Sequence, residues 1–262
     1  SYYSFRYTLL KQYNSTMLEN RDNLPVHFLA VAVMLVISCV LYRISHEISA
    51  KAVHVMAVLL SGLVFFVCIA IYMSAEFLPI VDQGHVYMNA VAIADKEVGH
   101  IIEPEYYILY SFQIGLTELM ALAMKLTGNT TVGMLEIIQS LFSGMATYAG
   151  FRITRELFHR TNIEVIYLLL AILFLPQYLY AMFIYGESLG ICATMYACLF
   201  FLLANRKKMS ILRSVWYYAA MILCMDAAYL ARGAMMIACI AMLILQIMFC
   251  LKQKKYYRVI QI

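Results

Sequence analysis

An all-α, polytopic transmembrane bundle of about seven to eight apolar helices is the fold class this sequence predicts, on three observations. The 262-residue chain is 64% hydrophobic and only 13% charged, far below the ~25% charged residues of soluble domains. Apolar windows of span length recur from one end to the other. Lys and Arg gather in a few short loops, as the preference of positive loops for the cytoplasmic side requires.

A spanning helix needs about 20 mostly apolar residues. Six windows meet that need: 26–42, 52–73, 133–151, 165–183, 188–204 and 233–251. Two more, 106–126 and 215–231, are apolar but interrupted by polar residues. Residues 26–251 therefore read as one transmembrane module. Residues 1–25 are expected to form an external or interfacial segment, because 26–42 must run inward to reach Arg43, and 252–262 a cytoplasmic basic tail. A chain that starts on Ser and stops at "KQKKYYRVIQI" is expected to be a fragment of a longer one.

Arg43 and Lys51 mark the loop 43–51 as cytoplasmic, and Arg152, Arg155 and Arg160 do the same for 152–160. So do Arg206, Lys207, Lys208 and Arg213 in 205–213, and Lys252, Lys254, Lys255 and Arg258 after the last window. The loop 74–106 sets Glu76, Asp82, Asp95, Glu97, Glu103 and Glu105 against Lys96 alone, and is assigned outside. The turn "FIYGES" and Arg232 fall on that side too. Two apolar windows separate the outer loop from the basic loop 152–160, where parity permits one crossing. The weaker is 106–126, which carries Gln113, Glu118 and Lys125 and is expected to lie along the interface or dip in without crossing, unless the charge rule fails for one loop.

The net charge of +4 is explained by orientation, so no nucleic-acid partner is expected. Seven Cys lie within apolar segments without CxxC or Cys/His spacing, and read as small core residues. His85 and His100 flank the acidic loop without a recognised ligand pattern; no metal and no other cofactor is expected. No Walker loop, GxGxxG or serine elbow supports a nucleotide-driven pump or a hydrolase.

Charges in so apolar a chain are functional candidates. Asp82 leads them. It follows Leu78-Pro79-Ile80-Val81 and heads an amphipathic stretch whose Val86, Met88, Ala90, Val91 and Ile93 suit the bilayer surface, which would hold a half-shielded carboxylate at headgroup level as a base. Arg232 lies outside against the charge trend, which calls for an anionic partner such as a lipid phosphate; a snorkelling side chain is the plain alternative. Asp226, mid-window, is expected to face the bundle interior. Glu187 suits the first turn of the next helix or the wall of an outer cavity, and Gln113 and Tyr110 follow the acidic loop toward the same cavity.

The ordered set "DQGHVYMNAVAIAD", "YILYSFQIGL", "FRITRELF", "FLPQYLYAMFIYGESLG" and "AYLARGAMMIACIAML" resembles the GT-C membrane glycosyltransferases. The likeness is to the bacterial proteins similar to dolichyl-phosphate-mannose protein mannosyltransferases, the family-39-like group, over roughly residues 70–250. Such relatives read Pro-x-x-Asp-Gln, Tyr-Pro-His-Gln-x-Gly-Leu and Tyr-Gly, with a Lys or Arg before a last apolar run. Here Ser111 and Phe112 stand where Pro-His is common. The resemblance implies a GT-C-like fold with short interfacial helices in the outer loop, in a bacterial plasma membrane, with the active site on the extracytoplasmic side. It implies a polyprenyl-phosphate-linked sugar as donor, inversion at the anomeric carbon and Asp82 as general base; Arg232, Gln83, Gln113, Tyr110 and Glu187 are the candidate substrate-binding residues. The acceptor, whether glycan, lipid or protein, is left open. A multi-span lipid or solute transporter or flippase is the alternative from another class, and a GT-C-like scaffold without catalysis the alternative within the fold.

Overall fold

The computed structural model describes residues 24–74, 79–95, 98–206 and 209–252. The N-terminal segment 1–23 and all but the first residue of the basic tail lie outside the described residues. Among the described residues every regular element is helical. In chain order these are α1 (Leu24–Ile44), α2 (Ala50–Ser74), α3 (Asp82–Ala94), α4 (Pro104–Leu109), α5 (Ile114–Thr127), α6 (Val132–Phe158), α7 (Thr161–Leu173), α8 (Leu175–Ala181), α9 (Glu187–Ala204), α10 (Ile211–Ala231) and α11 (Met236–Lys252), with short 3-10 turns at Ser45–Glu47, Ser111–Gln113 and Gly233–Met235.

Among the described residues fewer spans are found than the expected seven to eight. Three described helices, α2, α9 and α10, are long and apolar enough to cross a membrane, or four if the bent pair α7 and α8 counts as one span. The reasons are local. The window 106–126 breaks at Tyr110 into α4, a 3-10 turn and the 14-residue α5. α6 has 27 residues but carries Glu136, Arg152, Arg155 and Glu156. At the last window the described apolar helix runs Gly233–Met248, opening on a 3-10 turn at Gly233–Met235.

α7 and α8 meet at a bend of 51°. Pro176, lacking an N–H, cannot continue the hydrogen-bond ladder of α7 and is placed in the first turn of α8. Side chains then take up carbonyls freed by the break. Gln177 Nε2 donates to the Ala171 carbonyl, and Tyr178 Oη donates to the Ile172 carbonyl over 2.8 Å. Side-chain rescue of this kind is what lets a broken helix persist at membrane depth.

α6 is the axial element. It starts on the cap Thr131, whose side chain accepts from the Met134 N–H, and runs antiparallel to α2. Gly133 lies beside Tyr72, Gly144 beside the Ser61 carbonyl, and Arg155 donates to the Ala50 carbonyl at 2.9 Å. A methyl on Gly144 would sit 2.7 Å from that Ser61 oxygen, so only glycine permits this approach.

The last turn of α6 gathers the basic loops. Arg155 grips Glu164 of α7 through Nε at 3.0 Å and Nη2 at 2.8 Å, and Arg206 after α9 pairs with Glu156. The loops 43–51, 152–160 and 205–213 thus share one end of the bundle. Just inside it Asn205, Tyr218 and Gln246 close a polar triangle tying α9, α10 and α11.

The opposite end of α6 packs under the acidic loop. Met134 and Leu135 join Val86, Ala90, Leu116, Met120, Ala121, Met124 and Ile184 in one core. Val86 and Ala90, expected on the bilayer surface, are instead fully buried against α5, while Met88 remains 51% exposed. The reason is that α3 packs on α5 as a cover, which turns its small and β-branched side inward.

Candidate functional site

Asp82 is the first residue of α3, at the end where the helix dipole favours an anion. It is preceded by Val81 at φ 53° and ψ −132°, a conformation that β-branched residues avoid. Strain of this kind costs of order 1–3 kcal/mol and gathers at working sites. Here it turns the chain sharply out of Pro79-Ile80 and into the helix.

The Asp82 carboxylate accepts a hydrogen bond at 3.2 Å from the hydroxyl of Tyr185, 103 residues away. Tyr185 lies between α8 and α9. Its ring carries the Arg232 guanidinium over its face, 4.5 Å from the centroid. Arg232 Nη2 in turn reaches Glu187 Oε1 at 3.2 Å. Asp82 and Arg232, both assigned to the outer side from charge counting, are therefore joined by a single phenol, and Glu187 fixes the cation from the far side.

Gly186 makes this geometry available. It adopts φ 86°, which glycine tolerates, and its α-carbon passes so near the Ala231 carbonyl that a methyl would lie 2.2 Å from the oxygen. Tyr185 and Glu187 are thereby pressed against the corner of α10 that bears Arg232. Glu187, the acid in the first turn of α9, pairs with Arg232. Asp226, expected to face the bundle interior, is exposed on α10, because its place along the window says nothing about which helix face it occupies.

A second layer supports Asp82 from α3 and α4. Asn89, fully buried, accepts from the Ile102 and Glu103 N–H groups at 2.9 and 3.0 Å and donates to the His85 carbonyl at 2.8 Å. His85 Nδ1 meets Glu103 Oε2 at 2.7 Å, and its ring stacks on Tyr106 with centroids 4.8 Å apart. Desolvation, followed by the neighbouring Tyr185 and Asp82, pushes the Tyr106 phenol well above the usual tyrosine range. Burial does the same for Tyr185. Both phenols thus stay neutral at neutral pH. An open cleft of about 660 Å³ lies beside this layer, bordered by Pro79, Val81, Gly84, His85 and Glu103.

Of the remaining expected binders, Gln113 is 1% exposed on the 3-10 turn before α5, and Gln83 follows Asp82 on α3. Tyr110 ends α4, 37% exposed, with its ring against Tyr106 and Phe112. Four buried polar atoms on the expected binders have no protein partner: Gln83 Oε1, Gln113 Nε2, Glu187 Oε2 and Arg232 Nη1. Buried polar atoms are nearly always hydrogen-bonded, so such a group around one corner is the signature of a ligand or water site. Beneath it, a mostly apolar cavity of about 280 Å³ begins at Ser188, one residue past Glu187, and follows Ile191 and Met195 down α9 to the bend at Phe174.

Sequence reasoning missed Tyr185, Asn89 and Tyr106 as site residues. One signal was available, the aromatic residue directly before Gly186 and an acid in "YGES". Compared with protein-family models, curated proteins and solved structures, the chain finds no match.

Proposed function

We propose that this chain is an integral-membrane glycosyltransferase that moves a sugar from a polyprenyl-phosphate donor to an acceptor on the extracytoplasmic face. The observation that carries this reading is the pairing of a carboxylate and a guanidinium across Tyr185. A sugar phosphodiester leaves as a stabilised anion, so the reaction needs a base for the acceptor hydroxyl and a cation for the departing phosphate, and no acid for the leaving group.

Asp82 takes the proton of the acceptor hydroxyl as its oxygen bonds to the anomeric carbon. The bond from that carbon to the phosphate oxygen breaks on the opposite side, with inversion. Arg232 receives the phosphate anion. Its Nη2 is engaged by Glu187 while the buried Nη1 has no protein partner, which suits it to one phosphate oxygen. The Tyr185 hydroxyl holds Asp82 in register with the cation, and the cavity below Ser188 suits the first isoprene units of the carrier. The cleft beside His85 and Glu103 offers the acceptor a way in to Asp82.

The broken pair α7 and α8 beside a mostly apolar cavity favours one other reading, passage of a lipid or solute. Passage does not require a base at Asp82. In proteoliposomes given a polyprenyl-phosphate sugar, Asp82→Asn is expected to reduce transfer by roughly 10²- to 10⁴-fold at unchanged protein level. Wild-type turnover in that variant would end the transferase assignment.

A further inference from the structure

One face of α6 presents oxygens that nothing in the protein answers. Glu136 and Ser140 are each 1% exposed and Gln139 is 6% exposed. Both carboxylate oxygens of Glu136, Oε1 of Gln139 and Oγ of Ser140 are buried and make no hydrogen bond. Side chains three and four residues apart on a helix are neighbours on one surface, so these atoms share a patch about one turn long.

The patch faces α2 and α8. Cys68 of α2 lies beside Ser143 and within electrostatic reach of Glu136. Cys68 packs with Val64, Tyr178 and Ala181 in an apolar cluster. The only hydroxyl in that cluster, on Tyr178, is already committed to the Ile172 carbonyl. Among the described residues no Arg, Lys or His stands within ion-pair distance of Glu136.

A lone carboxylate in such a place needs a positive partner or must give up its charge, because an isolated buried charge is costly. The oxygens gathered there suit the first. Three of the four orphan atoms are pure acceptors when Glu136 is ionised, and the fourth, a hydroxyl, can turn its lone pairs toward the same point. A group of oxygens carrying one negative charge matches a small, hard cation of charge +1; a divalent ion takes a larger set of oxygens, commonly with several carboxylates. We propose that Glu136, Gln139 and Ser140 form a binding site for Na⁺ on the seam between α6 and the wall made by α2 and α8.

Occupancy would matter beyond the seam. One turn or less from Glu136, Met134 and Leu135 pack against Leu116 and Ile184, the neighbour of Tyr185. The ion thus sets how firmly α6 seats the corner that carries Tyr185. The site does not depend on the transferase reading.

The test is thermal unfolding of the full chain in lipid nanodiscs, with NaCl exchanged for choline chloride at constant ionic strength and pH. Na⁺ is expected to raise the midpoint along a saturating curve, as a ligand of the folded state does. Glu136→Gln should remove the Na⁺-dependent rise, and Ser140→Ala should raise the half-saturating concentration by roughly tenfold, the loss of one charge-directed contact. Should Glu136→Gln fail to fold, direct ²²Na⁺ binding to the wild-type protein and to Ser140→Ala decides the matter, with about one ion per chain expected in the wild type. A midpoint that follows pH alone and is the same in Na⁺ and choline would mean a protonated Glu136 and would overturn the proposal. So would full Na⁺ dependence in Glu136→Gln, or no ²²Na⁺ bound.

Discussion

Replacing Gly186 by alanine perturbs the site through one methyl group, and its cost can be worked from two sources. The first is conformational: φ 86° imposes about 1–2 kcal/mol on a residue with a β-carbon. The second is steric. The new carbon would stand 2.2 Å from the Ala231 oxygen, 3.0 Å from its carbonyl carbon and 3.2 Å from Leu116 Cδ1. Ordinary contact requires the Ala231 backbone to retreat by roughly 1 Å, and overpacking of this kind costs about 1–3 kcal/mol. The sum is about 2–5 kcal/mol, a large part of a typical stability. Because the obstructing backbone leads directly into Arg232, the loss falls on the Arg232–Glu187 pair as well. Gly128→Ala provides the control, since Gly128 has φ 65° but no atom within 4 Å of a built β-carbon, so it carries the conformational cost alone. Thermal unfolding of both variants in nanodiscs should place Gly186→Ala below Gly128→Ala by several degrees. Equal midpoints would refute the close approach of Gly186 to Ala231, and with it the local geometry of the site.

Two further outcomes follow from the hydrogen bonds. Asn89→Ala removes the acceptor of two backbone N–H groups and should destabilise the loop 98–103 by about 2–4 kcal/mol, seen as faster amide exchange at Ile102 and Glu103 with α9 and α10 unchanged. Tyr185→Phe keeps the ring under Arg232 but loses the bond to Asp82, which as a bond to a charged group contributes roughly 1.5–3 kcal/mol. Transfer should fall by about 10- to 100-fold with the donor KM little changed; a wild-type rate would show that the phenol does not position the base.

The helical, membrane-type character of the chain was legible because apolar length and the rarity of charge are properties of composition. Charge also marked Asp82, Glu187 and Arg232, which are conspicuous among 13% charged residues. Tyr185 was not conspicuous. It is one of 21 tyrosines, and its role rests on a contact across 103 residues that no local pattern encodes. Helix facing was equally hidden: Val86 and Ala90 suited a bilayer surface until α5 supplied a partner, and Asp226 suited an interior that α10 turns away from. Glu136 escaped notice because a single acid near the start of an apolar window does not interrupt it, and only packing shows that it has no partner. Among the described residues fewer helices reach span length than the windows suggested, in part because window hydropathy does not register the break at Tyr110.

The central claim is that Arg232 and Asp82 are two halves of one site, one for the phosphate and one for the acceptor proton. Equilibrium binding of a sugar-free polyprenyl phosphate to the nanodisc protein tests it most directly, with Arg232→Gln set against Asp82→Asn. Arg232→Gln is expected to weaken binding by at least roughly tenfold, the loss of a charge-assisted contact, while Asp82→Asn binds like the wild type. Wild-type affinity in Arg232→Gln would contradict it.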